Sequence, residues 1–179
     1  MSRSLVFQPR LTGHLSRSTA YTKSPNIRMM SKIATAASLD HIVLTVKDLD
    51  ASVKWYEKYL GMQHTSFSSG GLDRHALKFG SQKINLHVSG KEFEPKAQNV
   101  QPGSGDLCFL VEDPVDDVLQ RLKNEEVDIL EGAKVVDRTG ARGKLRSIYV
   151  RDPDGNLIEY VPLCSEGALE ADTGADYLT

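Results

Sequence analysis

The stretch LDHIVLTVKDLDASVKWYEKYLGM, which begins at Leu39, runs without a gap alongside GDLCFLVEDPVDDVLQRLKNEEV, which begins at Gly105. His41 falls over Asp106, Val46 over Val111, Asp48 over Asp113 and Val53 over Val118. A repeat of this kind means that one supersecondary unit is built twice, and it is sought before any single element is named. Each copy reads as a short apolar strand, an acidic helix start and an amphipathic helix. In the first, Asp48 or Asp50 supplies the cap, Val53, Tyr56 and Leu60 recur at helical spacing, and Gly61 ends the helix. In the second, Asp113 caps with Pro114 at the first helical position, and Val115, Val118, Leu119 and Leu122 form the buried stripe.

Three strands are predicted after each helix: Gln63–Ser68, His75–Phe79 and Lys83–Val88, then Val127–Leu130, Leu145–Val150 and Leu157–Val161. Turn chemistry separates them, most plainly Pro153-Asp154-Gly155-Asn156. The fold class that follows is α+β, with two βαβββ modules making one domain over residues 39–162. The first module is residues 39–90, a linker covers 91–104, and the second is 105–162.

The outer segments read differently. Six of the 22 basic residues lie in residues 1–38, ahead of all 24 acidic ones. That segment is also rich in Ser and Thr, the composition of an organelle transit peptide, so it is set outside the fold and a mitochondrial destination is favoured over the cytoplasm. Residues 163–179 are too polar to pack firmly and read as a tail. The body keeps 16 basic against 24 acidic residues, which argues against a nucleic-acid partner. No apolar run approaches the roughly 20 residues that span a bilayer. Cys108 and Cys164 make no metal-binding spacing and no disulfide framework, so both are read as reduced thiols of an intracellular protein, with Cys108 in the core.

The strand Leu157–Val161 poses the functional question, because it carries Glu159 at its centre. A carboxylate in an apolar strand is costly unless it is paired, hydrogen-bonded or metal-bound. The repeat gives a test. Ile84 matches Ile158, so Asn85 falls over Glu159, and His41 falls over Asp106. Four equivalent strand positions are thus polar, and His87 shares the face of Asn85 two residues on. Imidazole and carboxylate on strands suit zinc, nickel, cobalt, manganese or iron, and two histidines with one carboxylate leave coordination positions open. Arg138, Arg142 and Arg146 in DRTGARGKLRS add guanidinium groups fit for an anionic substrate; an exposed hairpin loop with solvated charges is the plain alternative.

With these residues assembled, the chain resembles the vicinal oxygen chelate superfamily, which includes glyoxalase I, fosfomycin-resistance proteins and extradiol dioxygenases. The resemblance is to its small, single-domain, glyoxalase domain-containing members. It rests on LDHIVLTVKDLDASVKWYEKYLGM, FGSQKINLH, GSGDLCFLVEDP and RSIYVRDPDGNLIEY. It implies paired modules whose mixed sheets curve into a cup around a divalent metal, often completed in a homodimer. It places metal ligands at His41 and Glu159, with His87 as a substitute nitrogen ligand. Asp106 stands where many members have histidine, and Asn85 stands where glyoxalase I has glutamate.

The reading adopted is a metal-dependent lyase or isomerase of the glyoxalase type, acting on a small, anionic oxygenated metabolite or thiol conjugate. Glu159 is its proton shuttle and metal ligand, Asp106 the alternative base, and Asn85, Arg138, Arg142 and Arg146 contact the substrate. A metal-free protein that sequesters a small molecule and an iron-dependent extradiol-type dioxygenase are the competing expectations.

Overall fold

A computed structural model describes residues 32–141 and 143–163. The transit-peptide reading of residues 1–38, Arg142, Cys164 and the tail thus fall largely or wholly outside the described residues. A compact body begins at Ala37. Its elements are β1 (His41–Val46), α1 (Leu49–Leu60), β2 (Gln63–Ser69), β3 (Leu72–Phe79), β4 (Gln82–Val88), β5 (Asp106–Val111), α2 (Val115–Asn124), α3 (Leu130–Ala133), β6 (Val136–Gly140), β7 (Gly143–Arg151) and β8 (Leu157–Pro162). They form two four-stranded sheets, ordered β1-β4-β3-β2 and β5-β8-β7-β6. In each, the first strand runs parallel to the last and the other pairs are antiparallel.

The two registers coincide. Ile42 pairs with Ile84 in the first sheet, and Leu107 pairs with Ile158 in the second. Alternation then sends Leu44, Val46, Ile84 and Leu86 of one sheet, and Phe109, Ile148, Val150, Ile158 and Tyr160 of the other, into a single buried cluster. Val53 and Tyr56 of α1 and Val115, Val118 and Leu122 of α2 join it. The opposite face of each sheet, called the open face below, holds the polar positions singled out from the repeat.

Helix α1 begins as its sequence indicates: the Asp48 side chain accepts from the Ala51 amide at 3.0 Å, and Gly61 closes the helix at φ 62°. Helix α2 departs from expectation. Its cap position is Pro114, with no side-chain hydrogen bond, because the Asp113 carboxylate pairs with Arg121 at 2.7 Å instead.

The strand expected at Val127–Leu130 is absent. Ile129 is a buried plug ahead of the short α3, and the strand that pairs with β7 is Val136–Gly140. VDRTG has no apolar alternation to announce it; as an edge strand with one neighbour it needs none. DRTGARGK is therefore mostly a hairpin, with Gly140 opposite Gly143, rather than a loop.

The DPDGN turn joins the modules. Asp154 Oδ1 accepts from the Lys47 amide at 2.9 Å, and Asp154 Oδ2 accepts from the Ser52 hydroxyl at 3.2 Å, so a buried carboxylate sits at the start of α1. Asp152 Oδ2 accepts from the Tyr56 hydroxyl at 2.9 Å and from Asn156 Nδ2 at 2.7 Å, while its Oδ1 accepts from the amides of Asp154 and Asn156. Asn156 Oδ1 in turn accepts from the Gly105 amide at 2.7 Å. Gly103, at φ 75°, passes so near that a Cβ there would lie 2.6 Å from the Asp154 carbonyl oxygen. Burial and the adjacent Asp152 hold the Tyr56 hydroxyl far above its ordinary pKa, so it stays a donor. No helix among the described residues is long and apolar enough to cross a membrane.

Candidate functional site on the second sheet

Alternation along β5 directs Asp106, Cys108 and Leu110 to the open face, and the pairing with β8 sets Leu157 beside Asp106 and Glu159 beside Cys108. Strand β7 adds Tyr149 opposite Glu159 and Arg151 opposite Leu157. Arg138 reaches the same face from β6, where it is opposite Leu145. Asp106, Glu159, Arg138, Tyr149 and Arg151, with Leu130, Glu131 and Leu157, line a cavity of about 430 Å³.

Glu159 is half-buried and held. The Tyr149 hydroxyl donates to its Oε1 at 2.8 Å. Burial first, then Glu159 and Asp106, push the thiol of neighbouring Cys108 up to about 12. Cys108 is therefore protonated at neutral pH and unsuited to act as a nucleophile or thiolate ligand. Burial, followed by the Glu159 bond, also raises the Tyr149 hydroxyl. The Arg138 guanidinium lies 5.3 Å from the Tyr149 ring centroid and 3.4 Å from the Glu131 carboxylate. Three carboxylates (Asp106, Glu131 and Glu159), a phenol and two guanidiniums, Arg138 already paired with Glu131, share one concavity that can grip an anionic or hydroxylated molecule and move a proton on it.

Of the residues expected at the site, Glu159, Asp106 and Arg138 come together. Arg146 does not. It lies one residue out of phase with Tyr149, on the helix side of β7, where it grips Asp116 of α2 at 2.9 and 3.1 Å. Cys108 is corrected from the core to the open face, beside Glu159 but outside the cavity lining, and Tyr149 and Arg151 join the site without a signal in the repeat. The alternation in Asp106-Leu107-Cys108-Phe109 held the signal for Cys108: if Phe109 packs inward, Cys108 faces out.

The first sheet treats its equivalent positions differently. His41 is exposed, and its Nδ1 lies 2.6 Å from Asp40 Oδ1. Asn85 Oδ1 is buried without a protein partner. His87 is only 9% exposed, has an unpartnered Nδ1, and stands edge-on to Phe93 with ring centroids 5.0 Å apart. The Arg74 guanidinium lies over the Phe93 ring, 4.3 Å from its centroid. The linker thus folds back over this face. Burial, then the Arg74 charge, lowers the His87 pKa.

The expected metal set of His41, His87 and Glu159 is not brought together. Parallel register places His41 beside Lys83 and His87 beside Thr45, four residues further along, which is about 13 Å of strand. The cavity lined by Glu159 takes no residue from the first sheet. Among the described residues no group of three or more His, Cys, Asp or Glu side chains is placed to hold a metal ion. The donor set of one chain does not fit the divalent metal that the resemblance implies.

Comparisons with known proteins agree on the family. A sequence model of the Glyoxalase/Bleomycin resistance protein/Dioxygenase superfamily matches residues 38–160. The chain is 50% identical over 121 residues to the virulence protein STM3117 of Salmonella typhimurium, covering 68% of this chain and 81% of that one. It is 53% identical over 122 residues to the glyoxalase domain-containing protein RDO1 of Mycosarcoma maydis, covering 68% of this chain and 66% of that one. The solved structure of VPC_CASS1, from the mobile metagenome of V. Pseudocholerae, is 51% identical and superposes with a TM-score of 0.68 over 75% of this chain and 100% of that one. Members of this superfamily bind small molecules, often with a divalent metal ion and often as dimers, and include glyoxalases, fosfomycin-resistance proteins and dioxygenases. The repeated βαβββ module, the match across both copies and these relatives make the chain a member of the glyoxalase/bleomycin resistance protein/dioxygenase superfamily.

Proposed function

We propose that the chain is a lyase or isomerase of the glyoxalase type that acts on a small anionic oxygenated metabolite or thiol conjugate at the open face of the second sheet. The observation that carries this reading is the convergence of Glu159, Asp106, Tyr149 and Arg138 on one cavity. Arg138 and Arg151 hold the anionic group of the substrate. Glu159 takes a proton from a carbon next to a carbonyl and returns it to the neighbouring atom, while Tyr149, by donating to Oε1, fixes the orientation of the carboxylate. Asp106, on the adjacent strand, is the alternative base. Where members of this family bind a metal, it polarises substrate oxygens.

A homodimer belongs to the same proposal. Val43, Phe67 and Leu72 on the open face of the first sheet, and Leu110 on that of the second, are exposed apolar side chains that a second copy would cover. A second reading, a metal-free protein that sequesters its ligand, is supported by Asn85 and by the separation of His41 from Glu159.

The test uses tag-free protein purified without chelator, analysed for metal and assayed with the glutathione hemithioacetal of methylglyoxal. Turnover that Glu159→Gln lowers by about 10²–10⁴-fold, with the thermal midpoint unchanged, supports the enzyme. Saturable binding without turnover supports the sequestering protein. A Glu159→Gln variant that turns over at the wild-type rate removes Glu159 from the mechanism.

A further inference from the structure

We infer that His64 and His75 form a site for a borderline divalent transition-metal ion, with zinc as the test case, on the β2–β3 hairpin. The site is separate from the cavity on the second sheet and does not rest on the proposed function.

The two histidines stand on the helix side of adjacent antiparallel strands. His64 is opposite Leu77 and His75 is opposite Ser66, so the imidazoles are diagonal neighbours. Side chains of this length reach one another across such a diagonal. Leu77 is fully buried, whereas both histidines are partly exposed, at the margin where the sheet outruns the core.

His64 Nε2 lies 3.1 Å from His75 Nδ1, with the rings 12° from parallel and their centroids 5.3 Å apart. Two imidazole nitrogens bound to a tetrahedral ion at about 2.0–2.1 Å stand roughly 3.3–3.4 Å apart. Widening the pair by a few tenths of an ångström and turning both rings, so that their lone pairs leave the line between the nitrogens and meet at one point, opens a binding gap.

In the present hydrogen bond one ring donates its N–H to the lone pair of the other. With the proton of His64 on Nδ1 and that of His75 on Nε2, both facing nitrogens offer lone pairs, and the ion bonds to both from a point off the line between them. Water completes the coordination. Nitrogen donors favour zinc, copper or nickel over magnesium or calcium. Glu57 adds negative charge nearby: its Oε1 lies 3.4 Å from the His64 amide.

The experiment titrates chelator-stripped, tag-free full-length chain with zinc alone. Calorimetry gives the stoichiometry, and the imidazole signals in NMR give the location. The expected result is one saturable equivalent per chain that shifts the signals of both His64 and His75. His64→Gln and His75→Gln should each lose that equivalent, while His41→Ala and Glu159→Gln retain it. Acidification should weaken binding, because both ligands must be neutral. Zinc that leaves the two signals unmoved overturns the site. So does a stoichiometry that either glutamine variant preserves. Because the wild-type signals report directly, the outcome does not depend on a variant folding.

Discussion

The two open faces are built on one plan and have come to differ in access. Position for position, His41 answers to Asp106 and Asn85 to Glu159, and the strand registers match. On the second sheet these positions open onto a cavity in which a tyrosine steadies the carboxylate. On the first, Phe93 of the linker lies over His87, Arg74 stacks on Phe93, and three buried atoms, Arg74 Nε, Asn85 Oδ1 and His87 Nδ1, lack protein partners. Duplication preserved backbone geometry while side-chain chemistry diverged. A fold can carry equivalent positions into unequal surroundings.

The largest effect should follow from giving the second sheet the residue of the first. Glu159→Asn should lower turnover of the hemithioacetal by about 10²–10⁴-fold, whereas Asn85→Ala should leave kcat unchanged; equal losses would mean that both faces work together. Next comes the joint between the modules. Asp152→Ala leaves buried donors from Tyr56 and Asn156 unmatched and should lower the free energy of unfolding, measured in urea, by roughly 3–5 kcal/mol. Asn85→Ala, which removes an acceptor that already lacks a partner, should cost less than about 1 kcal/mol in the same assay.

Arginine substitutions divide by face. Arg138→Ala should raise KM about tenfold, the loss of one charge-assisted contact. Arg146→Ala should leave KM unaltered, because that guanidinium is turned toward α2.

The smallest effect concerns pH. His87 has a folded-state pKa below its ordinary value of 6.5, with burial as the leading cause and Arg74 next. Between that depressed value and 6.5 the unfolded chain binds more protons, so stability rises with pH across the window and is fully present above 6.5. Urea midpoints of the wild type should fall as pH drops below 6.5, and those of His87→Gln should fall less. Parallel curves would mean that His87 is not desolvated.

Much of this architecture is legible in the chain because the core is written in two periodicities. Ile42, Leu44 and Val46 alternate along β1, and Val115, Val118 and Leu122 recur at helical spacing in α2. The match of Ile84 with Ile158 makes Asn85 and Glu159 equivalent, the match of the leading strands does the same for His41 and Asp106, and strand alternation then puts Asp106 and Glu159 on one face. Strand β6 escaped notice because an edge strand is held by backbone pairing to β7, which leaves no trace in hydrophobicity. The relation among His41, His87 and Glu159 is not legible for a different reason. His87 lies on the expected face, yet its position relative to His41 depends on how β1 pairs with β4. Its surroundings depend on where the linker returns, and neither follows from strand alternation.

The DPDGN turn bears on how such chains are recognised. Its two aspartates and its asparagine are engaged with Lys47, Ser52, Tyr56 and Gly105, so the most recognisable words in the sequence act as a clasp between halves. A lineage that abandons the reaction still has to keep the clasp shut. Finding those words in an unfamiliar genome signals that two halves are fastened together, and is silent on whether anything is being turned over.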